Sequence, residues 1–330
     1  TQPSGKQSAL RKSFGCFYTR TTGIWQTVWL ENVPEVYLEK YKVTPDVDNS
    51  RAYVDLYFDR EGFKEVTLTA KFDGKVEKVV TVKGTNAIIK AVIDLDDAKL
   101  WDLDNPNLYD LEISTKTDKT TDTVCGYFGL RKIEYLNGKF LINGKKIFHR
   151  MVLDQGYYSD GIYLPASPEN YRRDIQAMKS LGFNTLRKHI KVEPEIFYYE
   201  CDRLGIVVFQ DMVNNGKYSC FRDTALPTAG FKKLPNIFRR KNPRAEAEFE
   251  RSMKATVRQL YNHPCVCYWT IFNEGWGQFK SDKMYQRLKR SDPSRFVDTT
   301  SGWFKGKQSD VESLHVYFKP VKLKKYKKPV

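Results

Sequence analysis

The segment Asn273-Glu274-Gly275-Trp276 follows a nearly continuous apolar run, Cys265–Phe272. Such a run reads as a strand buried on both faces. A carboxyl group just past its end, beside an indole, is partly removed from water. Desolvation raises a carboxyl pKa and suits it to act as a general acid near neutral pH. The amide of Asn273 can bond a neighbouring hydroxyl. The same four residues also suit a plain capping turn. Arg187 and His189 follow a second run, Phe183–Arg187. The guanidinium there can brace a carboxylate, hold a substrate oxygen or form a structural ion pair. Asp211 ends a third run, Ile206–Asp211, where it can bond substrate or cap the next element. His315 and Tyr317 lie two apart on the stretch Ser313–Tyr317 and so point the same way, which serves packing as readily as chemistry. Trp303 follows Phe296–Thr300, and Asp154 stands with Gln155, Tyr157 and Tyr158 in a polar and aromatic mixture that suits carbohydrate. Each signal is weak alone. All of them cluster just past the ends of successive strand-like runs.

The elements that must position these residues alternate. Lys146–Leu153 reads as a strand, followed by a helix with Ser167 as N-cap, Pro168 at its first position and Gly182 at its end. Tyr171, Ile175, Met178 and Leu181 recur there at helical spacing. Helices are expected again over Pro194–Leu204, Arg244–Tyr261 and Phe279–Arg290, between the runs named above. Alternating β and α units imply a parallel sheet, here of about six strands. No GxGxxG follows the first strand, which disfavours a dinucleotide fold. Functional groups converging from many strand ends on one rim are what a (β/α)8-type barrel provides.

The first 130 residues differ. Ile24–Leu30, Tyr37–Val43, Ala52–Phe58, Val66–Phe72, Lys78–Val82, Ile88–Ile93 and Leu108–Thr115 read as strands separated by turn residues such as Asp73-Gly74 and Asp104-Asn105-Pro106-Asn107. Ala52–Phe58 alternates, with Val54, Leu56 and Phe58 on one side. This spacing suggests a β-sandwich of about 100 residues. Residues 1–31 are too short to fold alone and read as the tail of a separate β unit.

Composition narrows the function classes. The 330 residues are 41% hydrophobic and 29% charged, enough for a real core. No apolar run reaches membrane-spanning length. No apolar h-region opens the chain, which favours a cytoplasmic protein, although a chain cut from a longer precursor would read the same. Six cysteines (16, 125, 201, 220, 265, 267) form no CxxC pair, and the four histidines (149, 189, 263, 315) lack HExxH spacing, so neither a zinc site nor a disulfide framework is expected. No GxSxG elbow and no P-loop occur. The net charge is +15, with residues 1–130 at −3 and residues 131–330 at +18. The excess concentrates in Phe231–Arg244 and Lys319–Val330, each with six basic and no acidic residues. Such runs can bind polyanions, but without a nucleic-acid motif they read as a solvated loop and tail.

Several segments together resemble glycoside hydrolase family 2, the β-galactosidase, β-glucuronidase and β-mannosidase family. They are YTRTTGIWQTVWLE (18–31), LWDLDNPNLYDL (100–111), YFGLRKI (127–133), LGFNTLRKH (181–189), IFNEGWG (271–277) and DPSRFVDTTSGW (292–303). The resemblance implies the tail of a jelly-roll sugar-binding domain over 1–31, an all-β immunoglobulin-like sandwich over 32–130, and an α/β (β/α)8-type catalytic barrel over 131–330 with about six of its strands. It implies retaining hydrolysis of terminal β-glycosides, β-galactoside-like in the first instance. Glu274 would be the acid/base and Asn273 would hold a sugar hydroxyl. Arg187 would position the nucleophile, and His189, Asp211, Asp154, Trp276, Trp303, His315 and Tyr317 would line the pocket. The family's nucleophile sits in a Ser-Glu-Phe-Gly-like motif at the seventh strand, and no such motif occurs in these 330 residues. The expectation is a chain truncated at both ends and inactive alone; a non-catalytic carbohydrate-binding protein is the alternative. Some relatives use Mg2+ or Na+, but no ligand set stands out here. The expected partner is a carbohydrate, with neither nucleic acid nor membrane. Oligomeric state stays open, a homo-oligomer included.

Overall fold

The structure is a computed structural model. It describes residues 3–8, 10–214, 219–231, 242–316, 320, 321, 326, 328 and 330. Alternating apolar residues build the first unit. Strands β1 (Leu38–Asp46), β2 (Arg51–Phe58) and β5 (Ile88–Asp94) form one antiparallel sheet. Strands β3 (Lys64–Phe72), β4 (Lys75–Gly84), β6 (Tyr109–Lys116) and β7 (Thr121–Phe128) form another, in the order β4-β3-β6-β7. Val54, Leu56, Val66, Leu68, Leu111 and Ile113 meet between the sheets in one core, each contributing about 1.5–3 kcal/mol by leaving water. This is the expected sandwich, with β7 as a strand that sequence reading missed.

A small antiparallel sheet comes next, made of β8 (Ile133–Leu136), β9 (Lys139–Ile142) and β10 (Lys145–Ile147). It splits the single strand expected over Lys146–Leu153; β11 starts only at Met151 and runs to Asp154. Two Asn-Gly pairs turn this sheet, with Asn137, Gly138, Asn143 and Gly144 all at positive φ, as tight hairpins demand. Phe140 of β9 packs against Phe209 and Phe296.

The second unit is a parallel sheet of β11, β12 (Thr185–Lys188), β13 (Val207–Asp211), β14 (Val266–Thr270) and β15 (Phe296–Asp298), in strict chain order. A doubly wound sheet reverses its order at a switch point. Sequential order without reversal is instead the arc of a (β/α)8 barrel. Helices α1 (Glu169–Ser180), α2 (Glu195–Leu204), the one-turn α3 (Leu226–Thr228), α4 (Pro243–Leu260) and α5 (Ser281–Ser291) lie along the same stretch. Helix α4 starts where Asn242 accepts a hydrogen bond from the Ala245 amide and Pro243 fills the first position. It buries Phe249, Met253, Val257 and Leu260. Pro168, not Ser167, is the N-cap of α1, and no side chain caps that end.

Two expected strands are absent. Ile24–Leu30 has no ladder partner among the described residues and leaves Ile24, Trp29 and Leu30 exposed. Residues 313–316 form no ladder among the described residues. Side chains hold them instead: the Trp303 indole donates to the His315 carbonyl, and Ser313 donates to Asp298. Five parallel strands are therefore described rather than six. Tyr317 and most of the two basic runs lie outside the described residues.

The two units are pinned together by buried polar groups. The Arg131 guanidinium donates to the carbonyls of Pro264 and Val266. The carboxylate of Asp202, fully buried, accepts from the Tyr127 hydroxyl at 2.8 Å, from His263 Nδ1 at 2.6 Å and from the Cys265 amide at 2.8 Å. Burial and the adjacent Asp202 charge push the Tyr127 phenol far above its usual range. Among the described residues no helix is long and apolar enough to cross a membrane.

Candidate active site

Strand alternation decides which side chains meet. In β12, Arg187 and Lys188 are neighbours and point to opposite faces. Arg187 turns toward β13 and β14. Its Nε donates to Asp211 at 3.0 Å, and its Nη2 donates to Asn273 Oδ1 at 2.8 Å and to Ser301 Oγ at 3.1 Å. His189 Nδ1 donates to the other oxygen of Asp211 at 3.0 Å. Burial alone would push the Asp211 carboxyl up, but the Arg187 charge and the His189 hydrogen bond outweigh it and hold it below the usual carboxylate value. Arg187 is held up in the same way: burial opposes its charge and Asp211 more than compensates. The strand ends of β12, β13, β14 and β15 are thus tied into one polar frame.

That frame supports the turn after β14. Because Asn273 Oδ1 accepts from Arg187, the donor end of its amide faces away from the guanidinium. Glu274 takes a left-handed backbone conformation, φ +49°, which costs a non-glycine residue about 1–2 kcal/mol. Its Oε1 lies 2.8 Å from His315 Nε2, and both side chains are largely shielded from solvent. His315 Nδ1 lies 3.1 Å from the Ser301 carbonyl oxygen, which can only accept. The hydrogen-bond pattern therefore assigns one proton to Nδ1. The Nε2 side of the ring is thus turned to Glu274 Oε1. A carboxyl so placed can give a proton and take it back.

The remaining expected residues divide. Trp303 is buried against Leu226 and Phe304 and braces His315 from behind. Trp276 is buried among Phe17 and Ile190, so it forms the wall behind the turn. Asp154 does not join the Arg187 frame. It bonds Lys188 at 2.8 Å, and Lys188 in turn bonds the buried Glu193; the opposite facing of Lys188 and Arg187 explains the separation. Tyr317 lies outside the described residues. Sequence reading missed Ser301, which touches both Arg187 and His315, and Asp298, whose Oδ1 accepts from the Ser301 amide. Asp298 ends β15 as Asp211 ends β13, so the same strand-end rule could have found it. Among the described residues no three His, Cys, Asp or Glu side chains are grouped to hold a metal ion.

An arc of sequentially ordered parallel strands, with polar side chains gathered at the strand ends, defines the class as a barrel-type domain. Residues 133–328 match the family described as "Glycosyl hydrolases family 2, TIM barrel domain", and residues 36–131 match "Glycosyl hydrolases family 2". The chain belongs to glycosyl hydrolases family 2. It is 27% identical over 222 residues to a β-galactosidase of Pectobacterium atrosepticum, covering 66% of this chain and 20% of that protein. It is 24% identical over 339 residues to a β-galactosidase of Priestia megaterium, covering 94% of this chain and 31% of that protein. In structure it resembles a β-D-glucuronidase of Dictyoglomus thermophilum, with a TM-score of 0.68 and 20% identity over 84% of this chain and 47% of that one. The chain spans about a third or less of the curated relatives named here.

Proposed function

We propose that this chain carries the acid/base half of a retaining hydrolase of terminal β-glycosides, β-galactosides in the first instance. The 2.8 Å contact between Glu274 and His315 at the strand ends carries the reading, and the family membership and the β-galactosidases among its relatives support it. Glu274 gives its proton to the glycosidic oxygen as the C–O bond breaks, and the leaving group departs as an alcohol. The resulting carboxylate then takes a proton from water, which attacks the anomeric carbon and releases the sugar. Asn273 presents its amide donor to a sugar hydroxyl beside the reacting carbon. Retention also needs a nucleophilic carboxylate about 5–5.5 Å from the acid, which we place outside these 330 residues. Arg187 Nη1 has no partner among the described residues, and we assign it to hold that nucleophile. Asp211 and His189 keep Arg187 in place.

The test compares the full-length protein carrying this chain with its Glu274→Gln variant on aryl β-galactosides. With phenol as a poor leaving group, kcat falls by about 10²–10⁴. With 4-nitrophenol, whose departure needs less protonation, it falls less. An unchanged rate on the phenyl substrate sinks the assignment of Glu274. Saturable sugar binding without turnover by the unaltered protein would favour a carbohydrate-binding protein instead.

A further inference from the structure

The turn that follows β15 carries more of the site than its one bond to Arg187. Ser301 takes a left-handed backbone conformation, φ +50°, which a residue with a side chain keeps only where its surroundings hold it. Asp298 holds it. Its Oδ1 accepts from the Thr300 amide at 3.3 Å and from the Ser301 amide at 3.0 Å, as a carboxylate does when it closes a turn on its own backbone. Its Oδ2 accepts from the hydroxyl of Ser313, two residues before His315 in the chain. One nearly buried carboxylate thus ties the turn to the segment that brings the imidazole.

The two pieces fit closely. Gly302 stands at φ +91°, and a Cβ there would come within 2.7 Å of the His315 amide nitrogen, so only glycine lets the segment lie this near. The Trp303 indole donates to the His315 carbonyl at 3.0 Å, and the Ser301 carbonyl oxygen lies 3.1 Å from His315 Nδ1. The same turn reaches Glu274 through the backbone. The Gly275 amide donates to the Thr300 carbonyl at 3.2 Å, and the Phe272 amide to the Thr299 carbonyl at 3.1 Å. Both members of the 2.8 Å contact between Glu274 and His315 therefore hang on residues 299–303. The conformation of those residues depends on Asp298. Displacing a reacting group by about 1 Å can cost 10²-fold in rate, so a clamp at this point bears directly on the chemistry.

We infer that Asp298 is a positioning residue for the acid/base, setting the contact between Glu274 and His315 by clamping the turn after β15 to the segment that carries the imidazole. The inference rests on the reading of Glu274 as acid/base and adds to it a residue that acts through others. The experiment measures kcat and KM of the full-length protein carrying this chain on phenyl and 4-nitrophenyl β-galactosides. The variants are Asp298→Ala, Asp298→Asn, Glu274→Gln and the double variant Asp298→Ala/Glu274→Gln; urea midpoints check that each is folded in the assay. On the phenyl substrate Asp298→Ala is expected to lower kcat by about 10–10²-fold with KM within about twofold, and to lower it less on the 4-nitrophenyl one. Asparagine keeps an acceptor for the two amides and offers a donor to the Ser313 oxygen, so Asp298→Asn keeps kcat within about threefold of the unaltered protein. In the Glu274→Gln background Asp298→Ala costs less than about twofold, because no acid remains to be positioned. Should Asp298→Ala fail to fold, Ser313→Ala releases only the tie to the segment. It is expected to lower kcat on the phenyl substrate by about three- to tenfold, with no further loss once Glu274 is replaced. The assignment of Asp298 falls, while the acid/base reading stands, if its effect and that of Glu274→Gln multiply, if KM rises while kcat holds, or if Asp298→Asn is as impaired as Asp298→Ala. If Glu274→Gln leaves the phenyl rate unchanged, both fall.

Discussion

Glu274 and His315 are joined at 2.8 Å between the turn after β14 and the segment 313–316. The second nitrogen of the ring lies 3.1 Å from the Ser301 carbonyl oxygen, which holds the imidazole toward the carboxyl.

Replacing His315 by Gln retains a hydrogen-bond donor and removes the imidazole. In the full-length protein kcat on phenyl β-galactoside is expected to fall by about tenfold or more, with KM nearly unchanged. An unchanged kcat would mean that His315 only props the turn.

Arg187→Met leaves the buried Asp211 carboxylate with His189 alone, and the stability loss at pH 7 is expected to be about 3–5 kcal/mol. The sign with pH follows from the carboxyl. In the unaltered protein its folded pKa lies below the unfolded value, so its contribution is intact above about pH 4 and fades only as pH falls through the lower folded value. In the variant, burial without the guanidinium raises the folded pKa above the unfolded one, and protonation then favours the folded state. The stability gap between the two proteins, measured by urea unfolding, should shrink as pH drops from 7 to 4. A gap constant across that range contradicts this account.

His149 tests the floor of the arc. Its Nδ1 bonds Thr185 Oγ1 at 2.8 Å, its Nε2 has no partner among the described residues, and Phe140 and Phe209 press on the ring. Burial pulls its pKa down to about 4. Between about pH 6.5 and 4 the unfolded chain binds a proton that the folded protein refuses, so stability falls as pH falls through that window. Allowing for partial exposure, the loss due to this ring is about 2 kcal/mol. The His149→Gln variant should show that much less acid sensitivity in denaturation curves at pH 6.5 and 4. Parallel pH dependence of the two proteins would rule the ring out.

Asp202 tests the joint between the two units. Asp202→Ala strands the His263 and Cys265 donors and is expected to cost about 3 kcal/mol, whereas Tyr127→Phe removes one hydrogen bond and costs about 1 kcal/mol. The order of the two is read from urea midpoints. Equal effects would show that the carboxylate is no keystone.

Much of the site was legible from one rule. Arg187, His189, Asp211, Asn273 and Glu274 all stand at or just past the ends of apolar runs that could only be parallel strands, and the structure ties them into one network. Asp154 obeyed the same rule yet faces Lys188, because a one-residue difference in facing decides the matter and a four-residue strand gives too little alternation to reveal it. The β8–β10 hairpins were signalled by two Asn-Gly pairs, but strands of three and four residues carry almost no periodicity. Ile24–Leu30 and Ser313–Tyr317 have strand-like composition, and composition does not supply a ladder partner. The packing of Gly5 on the Ile190 carbonyl and of Phe17 on Trp276 was not legible at all, because it joins residues far apart in the chain through a glycine and two rings that no local pattern marks.

The left-handed backbone at Glu274 has an evolutionary corollary. Glycine would relax that turn, so a lineage relieved of the need for a proton donor would gain stability by mutating this one codon. A carboxylate held at φ +49° is thus a place where loss of chemistry would be rewarded by the fold, and where decay of the enzyme into a mere sugar-binder would be expected to show first.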